Sequence, residues 1–230
     1  MSALTLDVDP AAALQEARRI GLALFDDIER DLVRPGITES ELSREIHDLA
    51  RSAYGIKLHW HKRVVRAGVN TLLPYAHEPP DRVIEEDDIL FVDLGPVLAA
   101  WEADLGRTYV LGDDSRKHQL RIDLPRVYAA IEHLFRAEPD LTGAALFDFA
   151  VAMSRDLGWG FGGEIAGHLI GEFPHKKIPA ELRHSYVAPG NDLPMRAPDV
   201  RGLARHWIAE VHLVDEARQF GGFYEDLLQA

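Results

Sequence analysis

The chain has 230 residues, 47% hydrophobic and 27% charged, which is enough for one substantial core and typical of an ordinary globular protein. Its 38 acidic and 25 basic residues give a formal net charge of −13, which disfavours nucleic acid or an anionic membrane as a partner. Because the chain has no cysteine, disulfides, thiolate metal sites and cysteine nucleophiles are excluded. A bound metal would have to use oxygen and imidazole ligands.

The N-terminal stretch lacks the basic segment followed by an apolar segment that marks a secretory leader. No uninterrupted apolar run approaches the length needed to span a membrane. We therefore expect a cytoplasmic protein in which residues 1–230 form a single domain.

The first elements along the chain are predicted to be two helices. Apolar residues recur at helical spacing from Pro10 to about Val33, with Asp9 placed to start the helix. A second periodic run opens at Thr38–Glu41 and ends near Tyr54-Gly55.

The middle of the chain changes between strand and helix patterns. Short β-prone runs bounded by Gly, Pro and Asp predict strands within Leu58–Asn70 and Ile89–Leu111. Helical periodicity returns at about Leu120–Arg136 and Leu141–Leu157. The final third mixes short strands with loops rich in Gly and Pro, so the chain combines α and β elements.

Two aspartates in this region are candidates for metal ligands. Asp93 and Asp104 lie in β-prone runs 11 positions apart, and a turn near Leu98-Ala99 would make them cross-strand neighbours. Two carboxylates in that arrangement repel each other unless a proton or a cation lies between them. The alternative is that one or both cap turns or pair with Arg107.

Further candidate ligands follow downstream. His168 stands between Gly167 and Gly171, which allow a close backbone approach, although an ordinary hydrogen-bonded histidine is equally compatible. Glu210 lies in an apolar run, where it faces outward, pairs with a cation or binds a metal. Glu225 lies in the segment FGGFYEDLL, which could also begin a solvated terminal helix.

The order Asp, Asp, His, Glu, Glu resembles the pita-bread metallopeptidases, which include methionine aminopeptidases, aminopeptidase P and prolidase, with creatinase as a metal-free relative. VDLGPVLAAWEADLGRTYVLG is similar to the family's two-aspartate segment, GHLIGEFPH to its Gly-His-x-x-Gly segment, and NTLLPYAHEPP to its Asn-then-histidine segment. The resemblance runs from about residue 10 to the end and implies an α+β pita-bread fold, with a curved antiparallel sheet covered by helices. It implies the catalytic domain only, nearest to the Xaa-Pro branch.

The resemblance also implies a site for two divalent ions, with manganese first and cobalt, iron or zinc as alternatives. Carried over to this sequence, Asp93 holds one ion, Asp104 and Glu225 bridge both, and His168 and Glu210 complete the second. Glu210 also moves a proton.

Three further roles are predicted around this site. His175 donates to the oxyanion of the tetrahedral intermediate, and His77 orients the scissile amide or the leaving nitrogen. The cluster LHWHKR predicts that Trp60 and His61 form the rim of the substrate pocket, and the alternative is that its aromatic residue simply packs in the fold. In three places the sequence departs from the family pattern: Lys176 follows His175, Val211 follows Glu210, and the interval from Glu210 to Glu225 is short.

These features predict a metal-dependent hydrolase that cleaves small Xaa-Pro-type peptides through a hydroxide held between the two ions. One alternative is a non-peptidase enzyme on the same fold, acting on a small amide or amidine metabolite. The other is a binding protein that has lost catalysis. A homodimer is a further expectation.

Overall fold

The computed structural model describes residues 8–177 and 181–229. The start of the N-terminal stretch and residue 230 of the predicted domain lie outside them. The helices are α1 (Pro10–Asp31), α2 (Glu39–Tyr54), α3 (Ser115–Ala137) and α4 (Gly143–Asp156). The strands are β1 (Val64–Ala67), β2 (Ile89–Leu94), β3 (Val97–Leu98), β4 (Trp101–Glu102), β5 (Leu105–Val110), β6 (Gly160–Phe161), β7 (Gly167–Ile170), β8 (His206–Asp215) and β9 (Phe220–Leu227).

The two predicted N-terminal helices are confirmed, and their ends follow from local chemistry. The Asp9 carboxylate accepts a hydrogen bond from the amide of Ala11 at the start of α1. Thr38 and Glu41 form a reciprocal capping box at the start of α2, and Gly55 ends that helix with a left-handed φ of 67°.

The second helical pair is also confirmed, but α3 begins five positions before the predicted Leu120. The reason is Asp114, whose side chain accepts from the amides of Arg116 and Lys117 and so caps an earlier first turn. None of the helices within the described ranges combines the length and apolarity that a bilayer crossing requires.

Seven strands form one antiparallel sheet in the order β1, β2, β5, β9, β8, β6, with β7 also pairing with β8. The prediction of a strand within Leu58–Asn70 is confirmed by β1, which ends at Ala67 because a 3₁₀ helix occupies Gly68–Leu72. At this point the amide of Ala67 and the side-chain amide of Asn70 both donate to the buried carboxylate of Glu39. These hydrogen bonds end the strand.

The hairpin β3–β4 determines how the two aspartates are aligned. Its turn lies at Ala99-Ala100, one position later than predicted, and both residues have left-handed φ angles of 47° and 74°. In this register Asp93 pairs with Gly106, so the prediction that it lies opposite Asp104 is wrong. Asp104 lies two positions before Gly106, on the same face of the sheet.

Strand alternation separates a helix-covered face of the sheet from the opposite face. In β8, Ala209, Val211 and Leu213 are buried in the core that α3 and α4 cover. Glu210 and His212 alternate with them and point away from that core. Sequence alternation therefore directs Glu210 and His212 to the face opposite this core.

A buried ion-pair network lies on the helix-covered face. The side chain of Asp226 is fully buried and accepts from Arg18 Nε at 2.5 Å and from Arg107 Nη2 at 2.7 Å. This network links α1, β5 and β9 beneath the helices.

Candidate metal centre

Four paired positions, one on each of four strands, form a line across the sheet, and three of them carry carboxylates. Glu210 pairs with Glu225, Glu225 pairs with Gly106, and Gly106 pairs with Asp93. We call these four positions the carboxylate row. A Cβ on Gly106 would overlap the ring of Phe223, so glycine at this position lets that ring pack against the middle of the row.

Asp104 approaches the carboxylate row from the residue just before β5. Its Oδ1 lies 3.1 Å from His61 Nε2, and its Oδ2 lies 3.1 Å from His168 Nε2. His168 comes from β7, where it pairs with Ile208 of β8. The structure thus brings all five sequence-predicted ligands to the same face of the sheet.

Two overlapping sets of ligand atoms lie within 4.8 Å of one another and could each hold an ion. The first set is His61, Asp93 and Asp104, and the second is Asp104, His168 and Glu225. Glu210 is outside both sets, although it is close enough for its charge to raise the pKa of His168. Asp104 belongs to both.

Burial dominates the acid–base properties of the carboxylates. It raises the pKa of Asp93 to about 7 and of Glu210 to about 8, and it raises the pKa of Glu225 well above its ordinary value. The neighbouring carboxylate of Asp104 raises all three further. Three of the four acids therefore resist ionisation without a cation.

The two histidines show the opposite balance. Burial by itself would lower the pKa of His61 and of His168, but the adjacent carboxylates raise both to about 9. Burial would likewise raise the pKa of Asp104, but His61 and His168 outweigh it and lower it to about 2. Negative charge in the cluster is therefore concentrated on Asp104.

The donor set fits a divalent cation. Asp93 Oδ1 is buried and has no hydrogen-bond partner among the described residues, which is costly for a carboxylate oxygen. Buried carboxylates are stable when they are paired or bind a metal, and carboxylate with imidazole suits manganese, iron, cobalt or zinc. A cation would relieve both the repulsion and the unsatisfied oxygen.

His175 is held beside this cluster by a residue that sequence reasoning missed. Glu102 Oε2 lies 2.8 Å from His175 Nδ1, and its Oε1 accepts from the His175 amide at 2.9 Å. The Glu102 side chain is fully buried, and the His175 ring stacks on that of His168 at 5.4 Å. The available signal was an acid in WEAD two positions before Asp104, which places both on one strand face.

The cluster lines a cavity of about 450 Å³. Trp60 lines this cavity, and its ring centroid lies 4.4 Å from that of His61 and 4.6 Å from that of His175. His77 also lines the cavity but is exposed, and its carbonyl accepts from Arg66. All the predicted pocket residues therefore border one cavity, although His77 lies at its open side.

The sheet, its helices and this site define a pita-bread protein of the metallopeptidase class. The recombinant prolidase from Thermococcus sibiricus has the same fold, with a TM-score of 0.73 and 20% identity. The match covers 95% of this chain and 55% of that chain. It confirms the α+β pita-bread fold that the sequence motifs predict.

The chain belongs to metallopeptidase family M24, whose model matches residues 12–201. It is 27% identical over 172 residues to methionine aminopeptidase 1 of Saccharomyces cerevisiae, covering 73% of this chain and 44% of that protein. It is 26% identical over 148 residues to Xaa-Pro dipeptidase of Pyrococcus horikoshii, covering 61% of this chain and 40% of that protein. The matched region thus spans less than half the length of either relative.

Proposed function

We propose that residues 1–230 form a single catalytic domain that binds two divalent metal ions and hydrolyses small Xaa-Pro-type peptides. The observation that carries this proposal is the position of Asp104, which is shared by two sets of potential ligands. A carboxylate with one oxygen toward each set is suited to bridge two cations. The match to a metallopeptidase family supports the same proposal of a metal-dependent peptidase.

Five residues would hold the ions. Asp93 would bind one ion, Asp104 and Glu225 would contact both, and His168 and Glu210 would complete the second. When bound, such a metal pair supplies Lewis acidity and makes water a stronger nucleophile near neutral pH.

The protein side chains then position the substrate and move protons. Glu102 accepts from Nδ1–H of His175, so a protonated ring keeps its Nε2–H free to donate to the carbonyl oxygen as negative charge develops. Glu210 lies on the same face and would take the proton of the attacking water. His77, on the open side, would orient the scissile amide.

The cavity supports a small substrate with an apolar ring. Its volume of about 450 Å³ is within the range of small-molecule sites. Trp60, Phe91 and Phe223 give it aromatic walls against which a proline ring could pack. Two similar proteins carry the names prolidase and Xaa-Pro dipeptidase, which agrees with this choice.

Metal retention and product release test the proposal together. Protein stripped with EDTA and reloaded with manganese should retain two ions per chain by elemental analysis and release free amino acid from Xaa-Pro dipeptides. Asp104→Asn should lose most of the metal while keeping the circular dichroism spectrum of the wild type, because the bridging charge is gone. Asp113→Asn, at an exposed loop position, is the matched control and should retain both ions.

Three outcomes would count against parts of the proposal. Retention of less than one ion per chain would reject the metal pair, and unchanged metal in Asp104→Asn would remove Asp104 from the ligands. Full loading without release from Xaa-Pro, non-proline or Met-initiated peptides would favour a small amide or amidine substrate. We also propose manganese as the ion used for catalysis, and the same peptides tested with each metal would check it. The cytoplasmic location and the homodimer stay predictions.

A further inference from the structure

His61 and His168 are arranged in the same way on opposite sides of Asp104. The ring Nδ1 of each lies within hydrogen-bond distance of the backbone carbonyl of the next residue, 2.6 Å for His61 and 2.8 Å for His168. The Nε2 of each lies 3.1 Å from a different oxygen of Asp104. The sequence motifs include His168 among the ligands and place His61 at a substrate rim.

This arrangement is the one that prepares an imidazole to bind a metal. A carbonyl can only accept, so Nδ1 of His61 must donate to Lys62 O, and a neutral ring then has its lone pair on Nε2. Metal-binding histidines commonly donate their other ring N–H to a carbonyl or carboxylate in this manner. Nε2 of His61 lies 3.1 Å from Asp104 Oδ1 and 3.5 Å from Asp93 Oδ1, so a cation between these oxygens would take the place of the Nε2 proton and meet the ring nitrogen.

The position of His61 is maintained by packing. The amide of Trp60 donates to Gly95 O at 2.8 Å, two residues beyond Asp93. A Cβ on Gly95 would overlap both the His61 and Trp60 rings, so glycine at this position permits their close approach. The His61 side chain is only 7% exposed, which limits its alternative positions.

We propose that His61 is a sixth protein ligand, which supplies a nitrogen to the ion held by Asp93 and Asp104. This inference rests on the proposed metal pair, and it gives each ion one imidazole, His61 on one side of Asp104 and His168 on the other. An added nitrogen favours cobalt and zinc over manganese at that position. Manganese bound at this position is then displaced by cobalt or zinc more readily than manganese at the neighbouring position.

Proton NMR of cobalt-loaded protein tests the assignment without reference to activity. Cobalt(II) shifts the Nδ1–H of a bound imidazole far outside the normal spectrum, and this proton disappears when the solvent is D₂O. The wild type should show two such signals, one from each histidine, and His61→Ala should show one. His59→Ala is the matched control and should keep both, because the ion pairs of the described residues include none between His59 and a site carboxylate.

Calorimetric titration of EDTA-stripped protein provides the second measurement. His61→Ala should weaken one of the two cobalt-binding steps by at least about tenfold and leave the other unchanged. His61→Gln, which retains a polar side chain of similar length, guards against a variant that fails to fold. Both variants should keep the wild-type circular dichroism spectrum.

The results separate this inference from the proposed function. Wild-type protein that binds no cobalt would overturn both. Two bound ions with two shifted signals in His61→Ala, or tighter binding by that variant, would overturn the inference alone. In the latter case His61 would be an ion-pair partner of the aspartates that metal displaces.

Discussion

The ring of His175 is held by a carboxylate that is 73 positions away in the chain. Glu102 contacts both the ring and the backbone amide of His175, so it sets the rotation of the ring as well as its hydrogen-bonded nitrogen. Glu102 is therefore a positioning residue that acts through His175.

Glu102→Gln should lower kcat by about 10- to 100-fold, because an amide holds the ring and backbone of His175 less firmly than the carboxylate that accepts both hydrogen bonds. KM should change much less, since Glu102 is fully buried and His175 lies between it and the cavity. Steady-state kinetics on an Xaa-Pro dipeptide measures both constants. Glu172→Gln is the control, because Glu172 is an exposed acid three positions before His175. Equal kcat values for the two variants would contradict the role of Glu102.

Single residues were predictable where a local motif surrounds them. Asp93, Asp104 and His168 stand in short segments whose flanking residues already indicate a site. Glu102 and His61 were harder to assign, because their partners are 73 and 43 positions away and no local spacing connects them. The periodicity of apolar residues can be seen in the sequence, but the contacts between segments far apart in the chain cannot.

At the scale of elements, the turn of the β3–β4 hairpin carries unusual strain. Both turn residues, Ala99 and Ala100, have left-handed φ angles, which residues with a Cβ rarely adopt. Two-residue hairpin turns of this kind prefer Asn-Gly. The hairpin register is kept in spite of this cost, and Asp93 and Asp104 depend on that register.

Changing the turn to Ala99→Asn with Ala100→Gly should raise the free energy of unfolding by about 1 kcal/mol, because the φ angles become favourable. Urea denaturation measures the change, and metal content should remain that of the wild type. Ala129→Gly on the exposed side of α3 is the control and should lose about 0.5–1 kcal/mol. A turn variant no more stable than the wild type would show that the strain is relieved in solution.

The elements themselves were predicted better than their alignment. Caps and apolar spacing located all four helices, and β-prone runs located the central strands. The turn position was wrong by one residue because Ala-Ala has no turn signal, so nothing in the sequence favours it over Leu98-Ala99. The carboxylate row depends on pairing among four strands, which strand patterns alone do not specify.

At the scale of the whole molecule, the candidate metal site couples stability to pH. Asp93, Glu210, His61 and His168 all have raised pKa values in the folded protein. A raised pKa contributes stability below the unfolded value and loses it as pH rises through the folded value. For these groups the loss extends from about pH 4 to about pH 9. The lowered pKa of Asp104 acts only below this window.

Without metal, the free energy of unfolding should therefore decline from pH 5 to pH 9. Manganese should oppose the decline by binding the ionised ligands, adding about 2.7 kcal/mol at 100 times its dissociation constant. Urea denaturation in EDTA and in manganese gives the two curves, and their separation should widen with pH. Parallel curves would mean that the cluster does not bind metal through these groups.

The ion pairs of Asp226 have a consequence for how β9 aligns. Glu225 and Asp226 are adjacent acids that face opposite sides of the sheet, and a slip of β9 by one residue would exchange them. Arg18 and Arg107 can donate only to an acid on the helix-covered face, and both donate to Asp226. The two arginines on one face thus favour the register in which Asp226 faces them and Glu225 faces the other side of the sheet.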